Sequence, residues 1–95
     1  MKKKPTRIVY NDRVEYQLNG ELHRTDGSAL EEDGSKFWLV NGKRHRTNGP
    51  AIIWSDSYEE YLLNDKYYSK KDYYIELHKR EIDISRSPEL ITALV

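Results

Sequence analysis

The stretch Phe37-Trp38-Leu39-Val40-Asn41-Gly42-Lys43-Arg44-His45-Arg46-Thr47-Asn48-Gly49-Pro50-Ala51 decides how this chain folds, because it is written twice. Moved back by 22 residues it becomes Glu15-Tyr16-Gln17-Leu18-Asn19-Gly20-Glu21-Leu22-His23-Arg24-Thr25-Asp26-Gly27-Ser28-Ala29. A shortened third copy, Glu60-Tyr61-Leu62-Leu63-Asn64-Asp65-Lys66, follows at an offset of 23. One extra residue therefore falls between Ala51 and Tyr61, to be absorbed by a bulge or a longer turn. Self-similarity at a fixed short period marks stacked units, none of which buries its apolar face alone.

Each copy reads as β-structure. Asn-Gly after a short aromatic and aliphatic run signals a type I′ hairpin turn, whose two central residues need positive φ. Asn19-Gly20 and Asn41-Gly42 fit directly, and Asn64-Asp65 is a weaker version. Further turns are expected at Thr25-Asp26-Gly27, Thr47-Asn48-Gly49, Asp33-Gly34 and Asp56-Ser57. Only short strands fit between them: 7–10, 13–18, 28–32, 36–40, 50–54 and 58–63, with brief returns near 21–24 and 43–46. Strict alternation in Arg13–Leu18 puts Val14, Tyr16 and Leu18 on one side. The equivalent residues Tyr16, Trp38 and Tyr61, with Leu18, Val40 and Leu63, form the predicted core ladder.

The end of the chain changes character. Ser69-Lys70-Lys71-Asp72 opens a helix, with Ser69 as N-cap, that runs to about Ile82 without Gly or Pro. Glu76 and Arg80 lie one turn apart as an ion pair. Ser87-Pro88 starts a second helix. The predicted fold is mainly β with C-terminal α: a meander of short antiparallel strands built from repeats of about 22 residues, closed by one or two C-terminal helices. It forms one domain, with a flexible basic tail at 1–6, a repeat β-sheet at 7–68 and a helical cap at 69–95.

Composition narrows the function classes. With 95 residues, 37% hydrophobic and 34% charged, the core is small. No run approaches the roughly 18 apolar residues of a membrane span, and no apolar signal stretch follows Met1-Lys2-Lys3-Lys4, so a cytoplasmic, non-membrane protein is expected. Zero cysteines exclude a disulfide framework and thiolate chemistry. Sixteen basic residues balance sixteen acidic ones, which argues against a general nucleic-acid binder. The charge is uneven: residues 1–49 carry ten basic and seven acidic side chains, and residues 50–95 carry six and nine.

The repeated His-Arg-Thr-(Asp/Asn)-Gly-(Ser/Pro)-Ala after aromatic-x-x-Asn-Gly resembles MORN-like tandem hairpin repeats, in the variant with His-Arg-x-Asp-Gly-Pro-Ala units found in short bacteriophage and bacterial proteins. The resemblance covers residues 14–68 and is best at His45–Ala51; Ser28 replaces Pro in the first copy, and the third lacks the His-Arg-x-Asp-Gly core. It implies an elongated repeat sheet used for binding, a C-terminal cap, and a phage setting with no fixed activity.

Candidate functional residues fall into two groups. His23-Arg24 and His45-Arg46 occupy one repeat position, so they read as scaffold rather than as a general base with an anion clamp. Two histidines one repeat apart, roughly 10 Å on a stacked sheet, cannot share a zinc; no catalytic residue, metal ligand or cofactor is predicted. The tyrosines cluster late, and Trp54, Tyr58, Tyr67, Tyr68, Tyr73 and Tyr74 are the candidate partner-binding residues. The expected function is a small non-enzymatic interaction protein, phage-encoded, that binds and modulates or inhibits a host or bacterial protein, including an anti-defence role. The alternative is a small-ligand or nucleotide module with a pocket lined by His23, Arg24, His45 and Arg46. The unpaired edge of the first strand also points to a homodimer.

Overall fold

The computed structural model describes residues 3–80. Ten strands precede one helix: β1 (Thr6–Val9), β2 (Arg13–Leu18), β3 (Glu21–Leu22), β4 (Leu30–Glu32), β5 (Ser35–Phe37), β6 (Leu39–Val40), β7 (Lys43–Arg44), β8 (Ile52–Ile53), β9 (Glu59–Leu63), β10 (Lys66–Tyr68) and α1 (Lys70–Lys79). The fold is mainly antiparallel β with a C-terminal helix, as the repeats predict. The second helix predicted at Ser87-Pro88 lies outside the described residues.

The turns obey their residues. Asn19-Gly20, Asp33-Gly34 and Asn41-Gly42 all hold positive φ, as a type I′ turn requires, and Asn64-Asp65 does so without a glycine, at φ 51° and 68°. The extra residue of the third repeat sits in the turn after β8. Trp54 N–H donates to the Tyr58 carbonyl at 2.9 Å and Ser57 takes φ 74°, a three-residue loop ending in a left-handed residue.

The predicted meander divides in two. The main sheet runs β1-β2-β4-β5-β8-β9-β10, with β3 also on β2, while β6 and β7 pair separately. Strand 36–40 is thus broken at Trp38, which donates to the Ala51 carbonyl at 2.7 Å and accepts from His45 N–H at 2.9 Å. Tyr16 does the same with Ala29 (2.8 Å) and His23 (2.9 Å) one repeat earlier. The Asn-Gly hairpin of the middle repeat thus leaves the main sheet, while its counterparts β2-β3 and β9-β10 stay in it, all three turns lying at the end away from Asp12, Asp33 and Asp56. There Gly42 N–H donates to the Leu22 carbonyl and Asp65 N–H to that of Arg44, at 2.8 and 2.9 Å. The result is a slab of 44 × 38 × 20 Å.

This division moves the core. Of the predicted ladder only Tyr61 and Leu63 are buried; Tyr16, Leu18, Trp38 and Val40 are half-buried. Ala29, Leu39, Ala51, Ile52 and Leu62 are buried instead. The half-burial has a cause: guanidinium groups cover the two rings, Arg24 over Tyr16 and Arg46 over Trp38, each 4.0 Å from the ring centroid.

The helix closes the last repeat. Ser69 accepts the Asp72 N–H at 3.1 Å as N-cap, and Arg80 binds Glu76 at 3.0 Å. Tyr73, Tyr74 and Leu77 from its buried face pack with Tyr61 and Leu63.

Candidate functional site

The repeated His-Arg pairs are tied into the scaffold. His23 Nδ1 accepts the Asn41 N–H and His45 Nδ1 the Asn64 N–H, both at 3.0 Å, so each imidazole fastens the Asn of the next repeat's turn. An accepting Nδ1 requires a neutral ring protonated at Nε2. Burial, aided by the charge of Arg80, pushes His45 below the ordinary histidine pKa. Arg24 donates to Asp26 at 2.9 Å and to the Ser28 carbonyl at 3.1 Å; Arg46 repeats this on Asn48 and the Pro50 carbonyl, both at 3.0 Å. The Nε and Nη1 groups of both arginines thus close these turns. Of the four residues predicted as an alternative ligand pocket, His23 and His45 tie each repeat to the next, and Arg24 and Arg46 close the turns of their own repeats.

The aromatic candidates separate by burial. Tyr73 and Tyr74 are 0% and 2% exposed, so they offer a partner no surface. This corrects their reading as partner-binding residues: α1 needs its apolar face to close the sheet, and these rings are that face. Tyr68 is half-buried against the same cluster. Tyr67 is exposed and lies beneath Arg44, whose Cζ is 5.2 Å from its ring centroid. Trp54 and Tyr58 remain, 39% and 63% exposed.

Strand register brings these two into a row that the sequence does not announce. Tyr10 donates its N–H to the Arg13 carbonyl, Arg13 pairs with Glu32, Glu32 with Ser35, and Trp54 with Tyr58. Ser35 lies beside the Trp54 turn, its Oγ accepting the Ser55 N–H at 3.0 Å. Residues paired across antiparallel strands share a face. The row Tyr10–Arg13–Glu32–Ser35–Trp54–Tyr58 therefore crosses one end of the sheet, where the turns at 10–13, 32–35 and 54–58 carry Asp12, Asp33 and Asp56. Trp54 is fixed by Nε1–H donating to Glu60 at 2.7 Å and by Phe37, perpendicular to it at 5.4 Å. A shallow cleft of about 280 Å³ runs between the first two turns, lined by Tyr10, Arg13, Glu31, Glu32 and Lys36 among others.

No family model, curated protein or solved structure matches this chain. Among the described residues no group of three or more His, Asp or Glu side chains is placed to hold a metal ion. Among the same residues no helix is long and apolar enough to cross a membrane. Sequence reasoning found Trp54 and Tyr58 by residue type. It missed Tyr10, Arg13 and Glu32, for which the only signal was the near-22-residue spacing of the turns at Asn11-Asp12, Asp33-Gly34 and Ser55-Asp56.

Proposed function

We propose that this protein is a non-catalytic binding module that engages and modulates a protein partner through the turn-lined end of its sheet. The observation that carries this reading is the pair Trp54 and Tyr58. They stand exposed side by side on a cross-strand position, with the indole held in place by Glu60 and Phe37. Rigid aromatic side chains with a polar tip provide large contact area for little lost conformational entropy. The rest of the chain's chemistry supports the same reading, since the repeated imidazoles and guanidinium groups serve the scaffold.

The likeness of the repeats to MORN-like hairpins of phage and bacterial proteins supports a host or bacterial protein as the target, with inhibition by steric cover as the mode. Native mass spectrometry of tagged protein captured gently from host lysate tests the function. A stoichiometric protein complex that is lost in Trp54→Ala supports it. A homo-oligomer carrying a discrete small molecule and no protein overturns it.

A further inference from the structure

This chain lays its own cations over five of its aromatic rings. Arg13 lies 4.0 Å over Tyr10, Arg24 4.0 Å over Tyr16, Arg46 4.0 Å over Trp38, Arg44 5.2 Å over Tyr67, and Lys66 5.3 Å over Tyr68. Each of the four arginines also contacts a nearby carboxylate or amide oxygen: Glu15 and Asp12 for Arg13, Asp26 for Arg24, Asn48 for Arg46, Asp65 for Arg44. A guanidinium lying on a ring while its N–H groups reach an oxygen acceptor is therefore the chain's recurrent surface unit.

Trp54 and Tyr58 have half of that unit. Among the described residues neither ring carries a cation, although both are among the exposed large side chains. The acceptors are present. Glu32, half-buried in the same row, has no ion-pair partner among the described residues, and neither has Asp33 in the adjoining turn. Asp56 sits in the Trp54 turn and accepts only the Tyr58 N–H at 3.0 Å. Arg13, across the strand from Glu32, turns instead to Glu15 and Asp12, its Nε 2.6 Å from the first and its Nη1 3.0 Å from the second. Glu32 and Trp54 lie two strands apart, roughly 10 Å, within the span of two side chains of one extended peptide.

We infer that the Trp54–Tyr58 edge takes an arginine-bearing segment of a protein partner, one guanidinium stacking on these rings and reaching Asp56, a second engaging Glu32 and Asp33. The inference deepens the binding-module reading and rests on it for a protein as the source of the arginines.

The test is a titration of the ¹⁵N-labelled full chain with a blocked Gly-Arg-Gly-Arg-Gly peptide, alongside its lysine and citrulline analogues. Expected are shifts confined to the Trp54 indole N–H and the amides of 10–13, 32–35 and 54–58. Tyr58→Ala and Glu32→Gln, each checked for an unchanged amide dispersion, should each weaken binding about fivefold. Citrulline binding as tightly as arginine overturns the inference, as do dispersed shifts or unchanged affinity in both variants. Lysine binding as tightly removes the guanidinium assignment. A captured protein complex that survives Tyr58→Ala and Glu32→Gln removes this edge and leaves the module. Localised arginine binding without any captured protein removes the module and leaves the edge.

Discussion

Tyr73 lies against Tyr61, ring centroids 4.9 Å apart, and takes over the cover that Arg24 gives Tyr16 and Arg46 gives Trp38 in the two preceding repeats. At the third repeat's His-Arg position the chain has Tyr68-Ser69, and Ser69 caps the helix that delivers Tyr73. The Tyr73 hydroxyl donates to the Arg46 carbonyl and accepts the Gly49 N–H, so the cap is bonded to the repeat it closes. Replacing the arginine ends the series.

Removing that hydroxyl leaves two backbone groups without their partner. Tyr73→Phe is expected to cost about 1–3 kcal/mol, and Tyr73→Ala, which also empties the ring's place in a buried cluster, about 3–5 kcal/mol. Urea denaturation followed by circular dichroism measures both. Equal costs for the two variants would contradict the ring's role as cover.

The arginine staples leave no room for a methyl group. A Cβ on Gly27 would stand 2.7 Å from Arg24 Cζ. Gly27→Ala should therefore swing the flexible guanidinium off Tyr16 and destabilise by about 0.5–1 kcal/mol, the worth of an exposed cation–ring contact. In an Arg24→Ala background the same change should cost far less, giving a non-additive double-mutant cycle.

Asp65 holds a left-handed conformation at φ 68°, where the preceding repeats have glycine, because its carboxylate accepts both the backbone N–H and Nε–H of Arg44, at 2.7 and 2.9 Å. Those hydrogen bonds hold Asp65 below the usual carboxylate range. Asp65→Ala loses the clamp and keeps the strained backbone, so it should lower stability by about 1–3 kcal/mol. Asp65→Gly, relieved of the strain, should lower it less; the reverse order in thermal melts would refute the clamp.

His45 gives a pH dependence. Its folded pKa is depressed, chiefly by burial, so the unfolded chain binds the proton more readily. Its contribution to stability is complete above the unfolded value near 6.5 and is lost as pH falls through that value toward the folded pKa. Protonation would also remove the acceptor of the Asn64 N–H. The urea midpoint should fall between pH 7.5 and 5.5 in the parent, in steps of about half a unit, and fall less in His45→Asn. Identical profiles would show that His45 does not titrate with folding.

Much of this was legible in the residues. The positive-φ turns at Asn19-Gly20 and Asn41-Gly42 follow from which side chains tolerate that conformation, and Ser69 as N-cap follows from its oxygen reaching a free N–H. The core ladder was not, because alternation ranks apolar side chains without showing that Arg24 and Arg46 lie over Tyr16 and Trp38. Nor did residue type separate Tyr73 and Tyr74, buried, from Tyr58, exposed.

By itself the sequence determined the period, the turn positions and the place where the repeat stops. Each is set by backbone preferences acting over a few residues. Only the tertiary structure decided which rings face water and which carboxylates stand beside them. Strand register joins residues far apart in the chain, and it is register that sets Tyr10, Glu32, Trp54 and Tyr58 in one row.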